Sequence, residues 1–412
     1  MDFTFNEDQK MLRNSLRDFL EKEMAPMIKE KEPQGRPLNH EEAVDVLKKF
    51  KKMGLSPDIE DMKAFGGDAS LIGIMAEEMG RVCPSIALII GYSIGIGALI
   101  QFLPDGMEIK ERLLPRIKRS EIIATYALTE PDAGSDNRAM KTKAVLDGDE
   151  YIINGQKTWA TNGPTSDLCL LVAKDEKEQQ QMFLVDRERS PYESNELGHM
   201  GLKLASTGEL FFDNCRVPKD NNLTNIMAKI LSGGEGMKLL GDFKIPSEMP
   251  EMLNLFTMMT PVSLVLAILR MGMALLSVGI SQAALEASVN YAKERVQFGR
   301  PIGKFQLIQN MIYEIAVITE TSRLLAYKVL NLLSRGDPEF RKASSMAKAY
   351  ACEEVVRAAS YAIEIHGGMG LSDEYPVERY FRDARMMTIP DGTSNMNRLI
   401  VGGQILGMSA YI

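Results

Sequence analysis

The hydrophobic period of this 412-residue chain changes from helical spacing to strict alternation near Ile122, and returns to helical spacing after Pro218. A chain written this way cannot be one continuous bundle or one continuous sheet. It predicts a helical unit over 1–121, a β unit over 122–225 and a second helical unit over 226–412, an α+β multidomain architecture. In the first unit a capped helix starts at Asn6, with Met11, Leu12, Leu16, Phe19 and Leu20 on one face, and Pro26 is expected to break it. A second helix is expected over 39–52, with Ala43, Val44, Val46, Leu47 and Phe50 inward, four lysines outward, and Gly54 at its end. Ala64-Phe-Gly-Gly67 opens another helix, and 108–119 closes the unit.

In the middle unit, strands are predicted at 141–146, 150–153, 169–173, 181–185 and 209–212, joined by turns such as Asp147-Gly148 and Asn154-Gly155, as a compact antiparallel barrel or sandwich. The third unit is helical to the end, after an extended connection at about 226–262. Two apolar runs resemble membrane spans. The first, 86–100, is shorter than the ~20 residues a span needs and holds three glycines, and the second, 253–280, is interrupted by Pro261 and Arg270. Both are expected to be core helices, with no membrane span.

The formal net charge of -8 excludes a duplex nucleic-acid binder, which needs a basic face. Cys83, Cys169, Cys215 and Cys352 form no metal-ligand spacing and are expected to be reduced and buried. An acidic start without a positive, apolar leader fits a cytoplasmic protein.

Chemistry concentrates at the junction between the first two units. Tyr126, Leu128 and Thr129 alternate as the end of a strand, and Pro131-Asp132-Ala133-Gly134-Ser135-Asp136 follows with turn residues whose amides and hydroxyls can hold a polar ring edge or a phosphate. Alone, this is an ordinary surface turn. Downstream, Gln156-Lys-Thr-Trp-Ala-Thr-Asn-Gly163 carries the single tryptophan, Trp159, and Thr161; alone, Trp159 reads equally as a core aromatic.

Together these two segments resemble the flavin-binding signature of the acyl-CoA dehydrogenase family, and the order of helices, β unit and helices resembles that family over essentially the whole chain. The resemblance implies an FAD site at Tyr126, Leu128, Thr129, Gly134, Ser135, Trp159 and Thr161, with Ser135 also touching an acyl-CoA. It implies that Arg295, Gln297, Phe298 and Gln306 hold the dinucleotide across a subunit interface. Glu364-Ile-His-Gly-Gly-Met-Gly370 resembles the family's Gly-Gly-x-Gly loop, in which Gly367 and Gly368 let the backbone approach the pyrophosphate. Glu364 replaces the family's usual Gln, and next to a pyrophosphate it must turn away or find a partner.

The family's catalytic Glu-Gly-Thr motif matches Asp391-Gly392-Thr393, so Asp391 is the expected base. The alternative base position, next to Arg270, is Leu269. Gly392 and Arg270 are expected at the substrate, and Thr393 and Asn395 at the cofactor. An Asp is one methylene shorter than a Glu, withdrawing the carboxylate by ~1 Å, enough to cost about a hundredfold if nothing compensates. Pro390 fixes the backbone before it, and apolar Met386, Met387 and Ile389 should raise its pKa. The bland reading of Asp391 is a turn residue before a glycine. Asp383 is expected to pair with a neighbouring arginine.

The implied activity is α-proton abstraction with hydride transfer to FAD, in a homotetramer that passes electrons to an electron-transfer flavoprotein. The Asp base points to an alicyclic acyl-CoA such as a cyclohexane- or cyclohexene-carboxyl ester. The rival readings are a flavin oxidase of nitroalkane-oxidase type and a non-catalytic flavin-binding protein.

Overall fold

The computed structural model describes residues 4–56, 68–231, 255 and 257–410. The glycine-rich segments at 64–67 and 233–236, and most of the connection at 226–262, lie outside them. Helix α1, Glu7–Phe19, starts from a capping box in which Asn6 and Gln9 exchange side-chain-to-backbone bonds. It does not end at Pro26. A π-helical turn, Leu20–Met24, carries it into α2, Ala25–Lys31, and places Pro26 in the first turn of α2, where its missing N–H is not needed. Helix α3, His40–Lys51, has a second capping box and buries the five apolar residues expected of it. Next come α4, Ala69–Val82, α5, Pro84–Gln101, and α6, Glu108–Lys118.

The β unit is one curled seven-stranded sheet: β1 Ala124–Ala127, β2 Lys143–Asp147, β3 Glu150–Thr161, β4 Leu168–Lys174, β5 Gln180–Asp186, β6 Glu193–Glu196 and β7 Thr207–Pro218. It is mixed, not purely antiparallel, because β1 runs parallel to β4 in full register from Ala124↔Leu168 to Ala127↔Leu171. Both faces of β4 are buried: Leu168, Leu170 and Val172 join a cluster shared with α5 and α6, while Cys169, Leu171 and Ala173 join the sheet's own interior. The Asn154-Gly155 pair is not a turn. Gly155 lies within β3 at one of two irregularities against β7, packed so closely on Thr142 that a β-carbon there would sit 2.7 Å from its Cα. All four cysteines are free and buried.

After β7, α7, Leu223–Leu231, packs on β5. Pro261 does not interrupt a helix but opens one: α8, Pro261–Glu294, capped by the Thr260 side chain. A short hairpin, β8 Val296–Gln297 and β9 Arg300–Pro301, breaks the expected all-helical run. Then come α9, Gln306–Ser334, α10, Phe340–His366, α11, Val377–Met387, and α12, Ser394–Leu406. Helices α5 and α8 are long and apolar enough to cross a membrane, but two-thirds of each apolar window is buried inside the protein, as in a core helix.

Helices α4 and α8 meet at Gly80 and Gly279, where a β-carbon on Gly279 would lie 2.2 Å from the Glu77 carbonyl. Around this crossing, buried Glu77 and Glu78 are held by Arg13, Arg17, Arg81 and Arg323. Burial pushes the Glu78 pKa up, but hydrogen bonds from Arg17 and Arg13 win and keep it ionised.

Candidate active site

The turn between α11 and α12 carries Asp391 and Gly392 at φ +56 and +90. Two successive left-handed residues turn the local carbonyls inward. Asp is one of the few side chains tolerated there, because it is short and polar. Arg270, buried in the middle of α8, donates from Nε to the Asp391 carbonyl at 2.9 Å and from Nη1 to Ser345 Oγ at 3.3 Å. Lys348 of α10 is fully buried and donates to the carbonyls of Thr388 and Gly392, both at 2.8 Å. Asn397 Nδ2 adds a bond to the Gly392 carbonyl at 2.8 Å. Thr393 caps α12, while Asn395 is exposed in its first turn.

These bonds end on the backbone of the turn, and among the described residues the Asp391 carboxylate accepts none. Burial raises its pKa, Lys348 and Arg270 oppose the rise, and the result is pushed up to about 6. Such a carboxylate is free, mostly ionised at neutral pH and basic enough to take a proton. Arg270 therefore holds the backbone of the turn that carries Asp391. Leu269 packs against the cluster that includes Tyr126 and adds no second carboxylate.

Tyr126, in β1, faces this turn. Its hydroxyl is buried without a hydrogen-bond partner among the described residues, and both Tyr126 and Tyr92 of α5 lie within electrostatic reach of Asp391. Leu128 and Thr129 continue β1 and stay partly buried, and Gly134 and Ser135 are exposed. The Thr129 carbonyl accepts from Thr158 N at 2.9 Å, and Thr125 Oγ1 donates to the Thr161 carbonyl at 2.7 Å, so the junction lies beside β3. Trp159 is not a core aromatic: it is 52% exposed, at φ +59 in a β3 irregularity, 6.5 Å from the His199 ring.

The third group stands apart. Arg295, Gln297, Phe298 and Gln306 are all exposed at the β8–β9 hairpin, Phe298 at 92%. His366 stacks on Tyr291 with ring centres 4.2 Å apart, which docks the Glu364–Gly368 segment against the end of α8. Glu364 turns into solvent. Among the described residues no hydrogen bond, ion pair or ring contact joins this group to Tyr126, Trp159 or Asp391. The chain thus brings together the junction and Asp391, and sets the hairpin apart from both.

Comparison with known proteins identifies the family. The N-terminal, middle and C-terminal domain models of acyl-CoA dehydrogenase match residues 6–121, 125–215 and 261–406. A probable acyl-CoA dehydrogenase, YngJ of Bacillus subtilis, is 34% identical over 98% of this chain and 100% of its own length. The chain belongs to the acyl-CoA dehydrogenase family. A second relative of this family member, the cyclohex-1-ene-1-carbonyl-CoA dehydrogenase of Geobacter metallireducens, is 34% identical over 97% of this chain and 98% of its own. Among solved structures, an acyl-CoA dehydrogenase complexed with FAD from Bacillus anthracis superposes with a TM-score of 0.79 at 29% identity, covering 98% of this chain and 67% of that one.

The family implies a flavin, and the residues of this acyl-CoA dehydrogenase homologue fit one. Gly134 and Gly368 have no neighbour within 4 Å of a built β-carbon and no left-handed φ, so nothing among the described residues demands glycine there. The space beside both is open to the close approach of a ligand. The orphaned Tyr126 hydroxyl and the exposed Trp159 ring fit the same ligand.

Sequence reasoning missed two buried groups. Lys348 lies in a helix whose periodicity marks it only as inward-facing. Lys157, fully buried in β3, donates to the Leu128 carbonyl at 3.0 Å and to Glu130 at 2.7 Å, while Glu130 also accepts from the amides of Lys141 and Thr142. That cluster closes the 130–142 loop behind the junction. Asp383 is placed differently from expectation: its Oδ1 accepts from the Leu202 amide at 2.6 Å instead of an arginine, and burial pushes its pKa up to about 6.

Proposed function

We propose that this chain is an FAD-dependent acyl-CoA dehydrogenase in which Asp391 abstracts the α proton of an alicyclic acyl-CoA and an electron-transfer flavoprotein receives the electrons. The observation that carries this reading is the Asp391 carboxylate. It is unbonded among the described residues, its backbone is held by Arg270, and burial pushes its pKa up to about 6, with Tyr92 and Tyr126 within electrostatic reach. Tyr126, Leu128, Thr129, Gly134, Ser135, Trp159 and Thr161 would seat the flavin ring, Ser135 and Gly392 would also meet the substrate, and Thr393 and Asn395 would contact the cofactor near the base. FAD, when bound, supplies the hydride acceptor.

The exposed group at Arg295, Gln297, Phe298 and Gln306, with Gly367 and Gly368, would hold the dinucleotide of a neighbouring protomer in a homotetramer. A 92% exposed Phe298 and a 78% exposed Leu307 support a covered surface there. Glu364, in solvent, avoids the pyrophosphate charge. The alicyclic preference rests on the shorter Asp base, which needs the substrate carbon closer, and on the relative named for cyclohex-1-ene-1-carbonyl-CoA.

Anaerobic titration of the holoenzyme with straight, branched and cyclic acyl-CoA esters tests the reading. Flavin bleaching by a cyclic ester at the lowest concentration is expected, and preferential bleaching by a straight chain refutes the substrate assignment. Reoxidation of the reduced enzyme by air within seconds supports an oxidase instead. Absence of turnover with every ester refutes the enzyme reading.

A further inference from the structure

A buried lysine is costly unless it does something a neutral side chain cannot. Lys348 is fully buried in α10, and its two bonds reach the carbonyls of Thr388 and Gly392, one on each side of Asp391. Both acceptors have other donors: Thr388 takes the Ser394 amide at 3.1 Å, and Gly392 takes Asn397 Nδ2 at 2.8 Å. Replacing Lys348 with an apolar side chain of similar length would therefore leave neither carbonyl orphaned. Satisfying the backbone does not explain the charge.

We propose that Lys348 is a positioning residue for proton abstraction: its ammonium ties together the two ends of the turn that carries Asp391 and supplies one of the two positive charges facing the carboxylate. The inference rests on Asp391 being the base. Four groups face Asp391 from the surrounding elements: Lys348 from α10, Arg270 from α8, and the hydroxyls of Tyr92 and Tyr126 from α5 and β1. The tyrosines are neutral, since burial raises both above their ordinary range. The cations alone counter the effect of burial on the carboxylate, and Lys348 is the stronger influence. Lys348 is itself pulled down by burial, an effect opposed by Cys352 and Asp391. Arg270 holds the middle of the turn, and Lys348 holds its two ends.

The test uses the holoenzymes of K348M and K348R, an acyl-CoA ester that the wild type turns over, and the pH dependence of kcat/KM. K348M should fold with an unchanged thermal midpoint. Its ascending pH limb should move up by about one unit or more, as expected for removing a cation near a carboxylate. Its kcat should fall at least ~tenfold with little change in KM, because a turn that is looser by a fraction of an ångström misplaces the base. K348R should keep the wild-type limb and lose only kcat. A K348M enzyme with the wild-type limb and kcat overturns the proposal, and so does a K348R limb displaced as far as that of K348M. If K348M does not fold, K348R decides: a lowered kcat on an unmoved limb supports the proposal, and a wild-type kcat overturns it. A wild type inactive on every ester overturns the assignment of Asp391 itself, and with it this inference. A wild-type-like K348M overturns the inference alone.

Discussion

Asp391→Asn should make the protein more stable and nearly inactive, and the two effects have one cause. The folded Asp391 pKa is pushed up to about 6 from an ordinary 3.8, so folding favours its protonated form. The stability it contributes is fully present below pH ~4, is lost as the pH rises through about 6, and at pH 7.5 the ionised group is a net cost. At 1.36 kcal/mol per unit the shift is worth at most ~3 kcal/mol, and partial exposure of the side chain reduces this to about 1–2 kcal/mol. Asn is isosteric and tolerates the left-handed φ as well as Asp does, so the backbone of the turn survives the substitution. For a unit of this length, an unfolding entropy of about 0.9 kcal/mol/K converts the relief into a rise in thermal midpoint of about 2 °C at pH 7.5, and none at pH 4. Turnover should fall by about 10²–10⁴, the usual contribution of a positioned base. Paired thermal melts of the holoenzyme at the two pH values, with acyl-CoA turnover measured beside them, form the assay. A D391N midpoint equal to or below wild type at pH 7.5 refutes the burial argument, and activity within tenfold of wild type refutes the base.

In the wild type, kcat/KM should rise with pH through a limb near 6 and stand about tenfold below its plateau at pH 5, since an ionised base is required; a limb near 4 contradicts the environment described for Asp391. Glu78→Leu removes the carboxylate that neutralises Arg13, Arg17 and Arg81. It should cost about 3–5 kcal/mol in denaturant unfolding, and a loss below 1 kcal/mol shows that the network is dispensable. Lys157→Met strips Glu130 of its buried cation and loosens the 130–142 loop. The flavin-to-protein ratio after gel filtration should drop well below wild type while the far-ultraviolet circular dichroism stays unchanged, and full flavin retention speaks against the loop's role.

Much of the architecture was legible because burial imposes a period. The apolar stripe of α3 and the alternation along β4 follow directly from which faces must leave water. The corrections share a different origin. Pro26 lies in a helix that continues because the π turn realigns it, and the Asn154-Gly155 pair lies within a strand because Gly155 meets the backbone of Thr142. The Gly155 outcome is set by a backbone that comes near only in space, and the Pro26 outcome by the helical register of the turn before it; each overrides the local turn signal. Asp383 found an amide 181 residues away in preference to the arginines beside it in the chain.

For the site, the residue types in the junction and the identity of Asp391 were readable, since each is a property of a short stretch. The chain by itself determined which groups are available: the Asp391 carboxylate where the family resemblance expects a base, Leu269 where it would allow a second, and the hydroxyls and tryptophan of the junction. Tertiary structure alone decided what those groups can do. Arg270 and Lys348 come from helices 121 and 43 residues upstream of Asp391, and they reach it because α8, α10 and the α11–α12 turn converge there. A carboxylate acquires its basicity from the dielectric and the charges around it, and those are set by chain segments that no local pattern connects.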